Sequence, residues 1–412
     1  MKKYSVVVLI VMVLTVLVGC FACAPAADEP DVPPVAPPEE PKDPYIIGVS
    51  AALTGPFAAT YAPILELYRV YMERLNDEGG IDGHLVEIIY NDDRGETGVA
   101  ATNAKRYVEK GANLMVVISG SPTYAPMIAE AKAANIPILI GGAGAMAAMP
   151  PDPDPLVFAI LSVSLQGDSS KGAHTLTLIG DPATMKVGGI IMDIPVAMAA
   201  ASMFPAFSEA WGIADTVMVP VAPTVVDLAP IASDFIEQEV NWITEFGPGR
   251  LGKRLYEAMT KLGWEGNLLT LYDVPEVLNE TQSENIFVNF YVDPVGTIPI
   301  HTEIYEAAEK YQAKMVTSFG LVGWTQGMLT EQILREAGWP VTTEKILANL
   351  SNWEGIRTPL SGNIQYTPTD HMGPIFYRTF TWSDAEQDIV PATNWFEMDS
   401  QGKEAIDLGD SL

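Results

Sequence analysis

Cysteine is almost absent: the 412 residues hold two, Cys20 and Cys23, both near the amino terminus. The remainder of the chain therefore has no disulfide, no thiol nucleophile and no cysteine metal site. Histidine is nearly as scarce. His84, His174, His301 and His371 stand alone, with no HExxH pair and no partner at ligand spacing, so neither a metal nor histidine-based catalysis is expected. No nucleophile–base pairing is visible either, and the chain does not read as an enzyme or as the holder of a cofactor. Basic charge is short as well. Against 52 Asp and Glu there are 23 Lys and Arg, and the formal net charge of −29 repels a phosphate backbone, which excludes nucleic acid as a partner. No apolar run reaches the roughly 20 residues that a membrane-spanning helix needs.

What is present divides into a leader, a spacer and a large body. Lys2 and Lys3 precede an apolar run from Val6 to Val18, broken only by Thr15, which is the order of features in a secretory signal peptide over residues 1–19. The ending Leu17-Val18-Gly19-Cys20 resembles the bacterial lipobox, and that resemblance implies lipidation of Cys20 and attachment to a membrane through the lipid. Residues 20–44 are rich in proline and acids, with Lys42 as the one base, and have no apolar periodicity. Such a segment cannot bury enough surface to fold and serves as an extended tether. The body, in a chain that is 48% apolar, is long enough for two cores, because single domains usually run about 100–200 residues. The expected location is outside the cytoplasm, in the periplasm or lipid-anchored to the outer face of the cytoplasmic membrane.

The body is organised around Leu114 to Ala145. Leu114 to Ile118 reads as a buried parallel strand that runs into Ser119-Gly120-Ser121. Ser121 has the look of an N-cap, with Pro122 at the first helical position, and Tyr124, Met127, Ile128 and Ala131 form one apolar helix face. Ile136 to Ile140 is a second buried strand, ending at Gly141-Gly142-Ala143-Gly144. This β-α-β unit sends two loops from the carboxyl edge of a sheet, where open α/β folds bind ligands. A helix start with unpaired N–H groups and a serine hydroxyl suits a small carboxylate. The run GAGAMA also fits a loose dinucleotide fingerprint, but Pro150-Pro151 leaves no room for its helix.

Upstream, Tyr45 to Ala51 is predicted as a strand, Ala62 to Asp77 as a helix, Leu85 to Tyr90 as a strand and Thr97 to Gly111 as a helix. The succession IGVSAALTGPFA, LNDEGGIDGHLVEIIYNDDRGE, the strand into SGSP, and NIPILIGG resembles the amino-terminal lobe of type I periplasmic binding proteins. Among these it is most similar to the branched-chain amino-acid (Leu/Ile/Val) receptors of ABC transporters. The resemblance implies an α/β fold of two doubly wound parallel-sheet lobes joined by three hinge crossovers. On that plan residues 45–161 and 295–358 form the amino-terminal lobe, and 162–294 with 359–412 the carboxyl-terminal one. It also implies a monomer that closes on a small ligand and hands it to ABC permease subunits in the membrane. A ligand-sensing module that docks on a membrane signalling receptor needs the same cleft and stays open as an alternative.

In the second lobe strands are expected at Lys186 to Met192, Thr216 to Val221, Val240 to Thr244, Leu268 to Tyr272 and Ile286 to Tyr291, with helices at Ala197 to Trp211 and Leu251 to Leu262. Tyr305 to Tyr311 and Met328 to Ala337 read as helices, Gly362 to Tyr366 as the last crossover strand, and the final dozen residues as ragged. By resemblance Ser121 holds the ligand carboxylate, Ala143 and Gly144 offer backbone N–H groups where amino-acid binders place a threonine or serine, and Phe57 and Thr60 line the first loop. Tyr61 stands where relatives have glycine and reshapes the pocket. Phe246 falls at a position where relatives pack a tyrosine on the ligand. An amino-acid ligand needs an acid for its ammonium group, and Glu245, Asp273 and Glu284 are the candidates. Aromatic carboxylates and amides are the competing ligands to a branched-chain amino acid.

Overall fold

The computed structural model describes residues 42–161, 163–248, 250–293, 298–351, 353–358 and 360–410. The signal segment, Cys20 and all of the tether before Lys42 lie outside the described residues.

Two α/β lobes with parallel-sheet cores make up the body, as the sequence predicts. The first sheet contains β1 (Tyr45–Ala51), β2 (Val86–Asp92), β3 (Leu114–Ile118), β4 (Ile138–Ile140) and β5 (Val157–Ala159), in the order β2-β1-β3-β4-β5. Every pairing in it is parallel. Helices α1 (Ala58–Asp77), α2 (Thr97–Glu109) and α3 (Tyr124–Ala133) connect these strands. With helices over its faces a central strand must be apolar on both sides, and all five residues of β3 are buried.

The second lobe begins with α4 (Leu165–Ile179), followed by β6 (Lys186–Met192), α5 (Pro195–Ala210), β7 (Asp215–Val221), α6 (Ala229–Glu237) and β8 (Trp242–Phe246). Then come α7 (Leu251–Thr260), β9 (Asn267–Thr270), α8 (Val277–Thr281) and β10 (Ile286–Phe290). After β10 come α9 (Ile300–Lys310), α10 (Ser318–Ala337) and α11 (Thr343–Leu350). The strands β11 (Ile375–Ser383), β12 (Asp388–Pro391), β13 (Trp395–Met398) and β14 (Ala405–Gly409) complete the chain. The second sheet runs β14-β13-β11-β10-β9-β8-β6-β7, with β12 on β11, and its β11 to β14 portion is antiparallel. The chain passes between the sheets after β5, after β10 and ahead of β11.

Several expectations are corrected. α10 starts ten residues before the predicted Met328, because Gly320, Gly323 and Gly327 lower helix propensity in the sequence yet are required by packing. A Cβ on Gly323 would strike the Ile64 carbonyl of α1, and one on Gly327 would meet the Tyr71 ring at 2.7 Å. Trp324 is buried edge-on against Tyr71. α1 starts at Ala58 rather than Ala62, with Pro63 tolerated near its beginning. β8 sits two residues later than expected and so includes Glu245 and Phe246. Gly362 to Tyr366 makes only the isolated bridge Ile356–Ile364, while Tyr366 turns inward to donate to the Ala159 carbonyl at 2.6 Å. The final residues are ordered through β14, which pairs with β13.

Candidate functional site

In doubly wound sheets the ligand crevice lies beyond the strand carboxyl ends, at the point where strand order reverses. That point falls between β1 and β3 in the first sheet and between β6 and β8 in the second. The loops leaving these four strands face one another across a single cavity. From the first lobe come Phe57, Thr60, Tyr61 and Ile64 after β1, Gly120 and Ser121 after β3, Ala143 after β4, and Phe319 of α10. From the second come Ile194, Val196 and Ala197 after β6, Gly247 and Pro248 after β8, Leu271 and Tyr272 after β9, and Phe290 with Tyr291 at the end of β10. Leu161 and Val163 close the hinge side. The space free of atoms is about 730 Å³, its opening to solvent included. It is a narrow slot.

Ser121 does not cap a helix by its side chain. It opens a short 3-10 turn, Ser121–Thr123, that leads into α3, and Gly120 occupies the capping position. Its Oγ is shielded from solvent and has no hydrogen-bond partner among the described residues. Leaving a buried hydroxyl unpaired costs about 1–3 kcal/mol, and this one belongs to a residue of the cavity wall. No acceptor for the Ser121 backbone N–H is found among the described residues either. Gly120 is required beside it, because a Cβ there would press on the Phe57 ring at 3.1 Å.

Asp92 and Asp93 brace these loops. Asp92 accepts from the Leu53 and Thr54 amides and the Thr54 hydroxyl, and Asp93 accepts from the Ser50 and Ser119 hydroxyls at 2.8 and 2.7 Å. Burial raises the Asp93 carboxyl above the ordinary range against the pull of these donors. Tyr61 packs edge-on to Phe57, with its hydroxyl beside the Tyr124 hydroxyl and the Ala143 amide, and burial pushes its phenol up to about 12. Tyr124 donates onward to the Ser119 and Ala143 carbonyls, which ties the two binding loops together. Gly144 is a contact between the halves rather than a part of the cavity wall. At φ 73° it takes a backbone conformation that favours glycine, and a Cβ would meet Val196 of α5 at 2.5 Å.

The second-lobe residues expected at the ligand are placed elsewhere. Phe246 is fully buried against Phe204, because β8 extends through it and turns its ring into the core. Glu284 is exposed at the amino end of β10, the opposite edge from the cavity, where it accepts from the Asp384 amide. Glu245 and Asp273 are buried behind the wall. Glu245 Oε1 accepts from the Thr270 hydroxyl at 2.5 Å and from the Leu271 and Tyr272 amides at 3.2 Å, which fixes the loop that carries Tyr272. Burial pushes its carboxyl up to about 8, so it is neutral at pH 7 and is no counter-ion for an ammonium group. No charged side chain lines the cavity among the described residues.

Sequence reasoning missed the residue that dominates this wall, Tyr272, and what holds it. The Tyr272 hydroxyl donates to Asp168 Oδ2 at 2.7 Å, and Lys171 Nζ lies 3.0 Å from Asp168 Oδ1. Both charged residues are buried, at 2% and 1% exposure. The signal was available, because Asp168 and Lys171 stand one helical turn apart in LQGDSSKGAHTL, but α4 itself went unread in a segment crowded with serine and glycine.

With this geometry in view, the likenesses to known proteins fall into place. The sequence profile of the family described as periplasmic binding protein matches residues 44–386, and the chain belongs to that family. It is a family of extracytoplasmic solute-binding proteins of transporters, not of enzymes. Among curated proteins none matches this sequence. Of the solved structures, a solute-binding protein of an ABC transporter from Rhodopseudomonas palustris, in complex with 3,4-dihydroxybenzoic acid, is 16% identical. It covers 90% of this chain and 99% of its own, with a TM-score of 0.71. A leucine-binding protein from Thermotoga maritima is 13% identical over 88% of this chain and 99% of its own, with a TM-score of 0.69. A fatty acid ABC transporter substrate-binding protein from Thermomonospora curvata is 16% identical over 90% and 92%, with a TM-score of 0.67. Likenesses at these identities establish the fold alone.

Proposed function

We propose that this protein binds a small carboxylic acid with an apolar, uncharged body and delivers it to the permease subunits of an ABC importer. The observation that carries the reading is the asymmetry of the cavity. Ser121 offers an unpaired hydroxyl and an unpaired N–H in the short turn that leads into α3, while the rest of the wall, Thr60 apart, is aromatic and aliphatic with no charged side chain among the described residues. A carboxylate finds charge-assisted donors at Ser121. An ammonium group finds no acid, and burying it unpaired in such a slot carries a large desolvation cost. That separates this cleft from what a branched-chain amino acid requires and favours aromatic or branched aliphatic acids. Two similar structures, in complex with 3,4-dihydroxybenzoic acid and with 4-hydroxybenzoate, are consistent with an aromatic ring in such a cleft.

In this proposal residues 45–161 and 295–358 form one lobe and 162–294 with 359–412 the other. Closure brings Tyr272 and Tyr291 onto a ligand already held at Ser121, so the ligand shifts an open–closed equilibrium by its greater affinity for the closed form. The leader over residues 1–19 exports the chain, Cys20 carries the lipid, and the proline-rich tether holds a monomeric body above the membrane. Mass spectrometry of the protein after gentle purification tests the ligand class. A carried molecule that is a carboxylic acid without an amine supports it, and a carried amino acid contradicts it.

A further inference from the structure

A second cavity lies at the hinge, directly behind the first. It holds about 370 Å³ free of atoms, and its walls include Ile160, Val292, Val322, Ile364 and Phe376. Its aliphatic hydroxyls are engaged elsewhere: the Thr325 hydroxyl donates to the Leu321 carbonyl at 3.1 Å, and the Ser361 hydroxyl lies 3.1 Å from that of Thr358. The space is therefore suited to hydrocarbon. Leu161 and Tyr291 line both cavities. Each stands where the chain leaves one lobe for the other, Leu161 after β5 and Tyr291 after β10, and the Tyr291 ring is stacked on Phe290 with centroids 4.5 Å apart.

We propose that Leu161 and Tyr291 form a partition that sets the longest ligand this protein accepts, and that the cavity behind them is an apolar tail site closed in the present conformation. The proposal rests on the reading above, in which acids bind with their carboxylate at Ser121. With that end fixed, the ligand body runs toward the hinge and its far end meets the Leu161 and Tyr291 side chains. Removing either side chain joins the two spaces. A tail that then enters water-free hydrocarbon surroundings gains about fourfold in affinity for each added methylene.

The test is a calorimetric titration of the full protein with 4-alkylbenzoates, from 4-methyl to 4-hexyl, for the wild type, Tyr291→Ala and Leu161→Ala. The wild type should lose affinity beyond a short tail, and at least one variant should extend the tolerated tail by two or more carbons. Adding Val322→Phe, which refills only the rear cavity, should cancel that gain. An unchanged length limit in both variants, or a wild type that binds the long tails as well as the short, overturns the partition while leaving acid binding in place. If the wild type binds none of the acids, the functional reading fails instead. Xenon soaked into crystals then decides the partition separately: two sites in the wild type merging into one in Tyr291→Ala supports it, and two sites in both proteins overturns it.

Discussion

The two walls of the cavity are built on opposite plans. The first-lobe wall is polar at its centre: Ser121 is left unpaired there, and the acids nearby, Asp92 and Asp93, are spent on bracing the loops. The second-lobe wall is apolar at its surface, yet Asp168, Lys171, Glu245 and Asp273 are all buried behind it. In the proposed function the first wall receives the carboxylate and the second the apolar body of the ligand, and the ionisable groups of the second act on the wall, not on the ligand. Taking an ion pair out of water is costly, and this one holds a tyrosine of the wall in place.

This contrast breaks first at Lys171. Lys171→Met leaves Asp168 buried without its partner and is expected to lower stability by about 3–5 kcal/mol in urea unfolding, with partial recovery when Asp168→Asn is added. A loss below about 1 kcal/mol would mean that the pair does not anchor the second wall. The effect at Ser121 is smaller and of another kind. Ser121→Ala removes a hydroxyl that has no partner in the protein, so stability should hold or rise slightly while ligand affinity falls about tenfold. Unchanged affinity by calorimetry would remove Ser121 from the site.

The pH dependence of stability runs through Glu245. Its folded carboxyl is raised to about 8 from an ordinary value of 4.5, so the native state keeps a proton that the unfolded chain releases between those limits. Stability from this group is full below about pH 4.5 and is lost as pH rises toward 8. Glu245→Gln removes that decline, and its melting temperature should exceed that of the wild type by a margin that widens by a few degrees from pH 5 to pH 8. His174 works on the acid side. Burial among Trp211, Tyr377 and Phe396 lowers it to about 4, so its contribution is lost as pH falls from about 6.5 toward 4. Calorimetric scans of the two variants Glu245→Gln and His174→Gln across pH 4 to 9 separate the two limbs.

The first lobe was the more legible because its signals are local. β1 and β3 run to the predicted residues, since a buried parallel strand is a continuous apolar run and nothing distant is needed to read it. Ser121 could be singled out because strand, glycine and serine stand in sequence, although its role as a cap was mistaken. The second wall depended on register. A shift of two residues in β8 took Glu245 and Phe246 out of the expected loop and into the core, and no periodicity in VNWITEF distinguishes the two placements. Tyr272 and Tyr291 were read as the last residues of strands, but those strands stop at Thr270 and Phe290, and which strands flank the cleft follows from strand order in the folded sheet. The glycines of α10 misled for the opposite reason: they weaken a helix locally and permit its packing on α1.

Leucine and 4-methylpentanoate differ only by the ammonium group, and the cavity has no charged side chain to receive one among the described residues. Isothermal titration of the purified protein with this pair tests the central claim most directly. The account predicts that 4-methylpentanoate binds at least tenfold more tightly than leucine; tighter binding of leucine would contradict it.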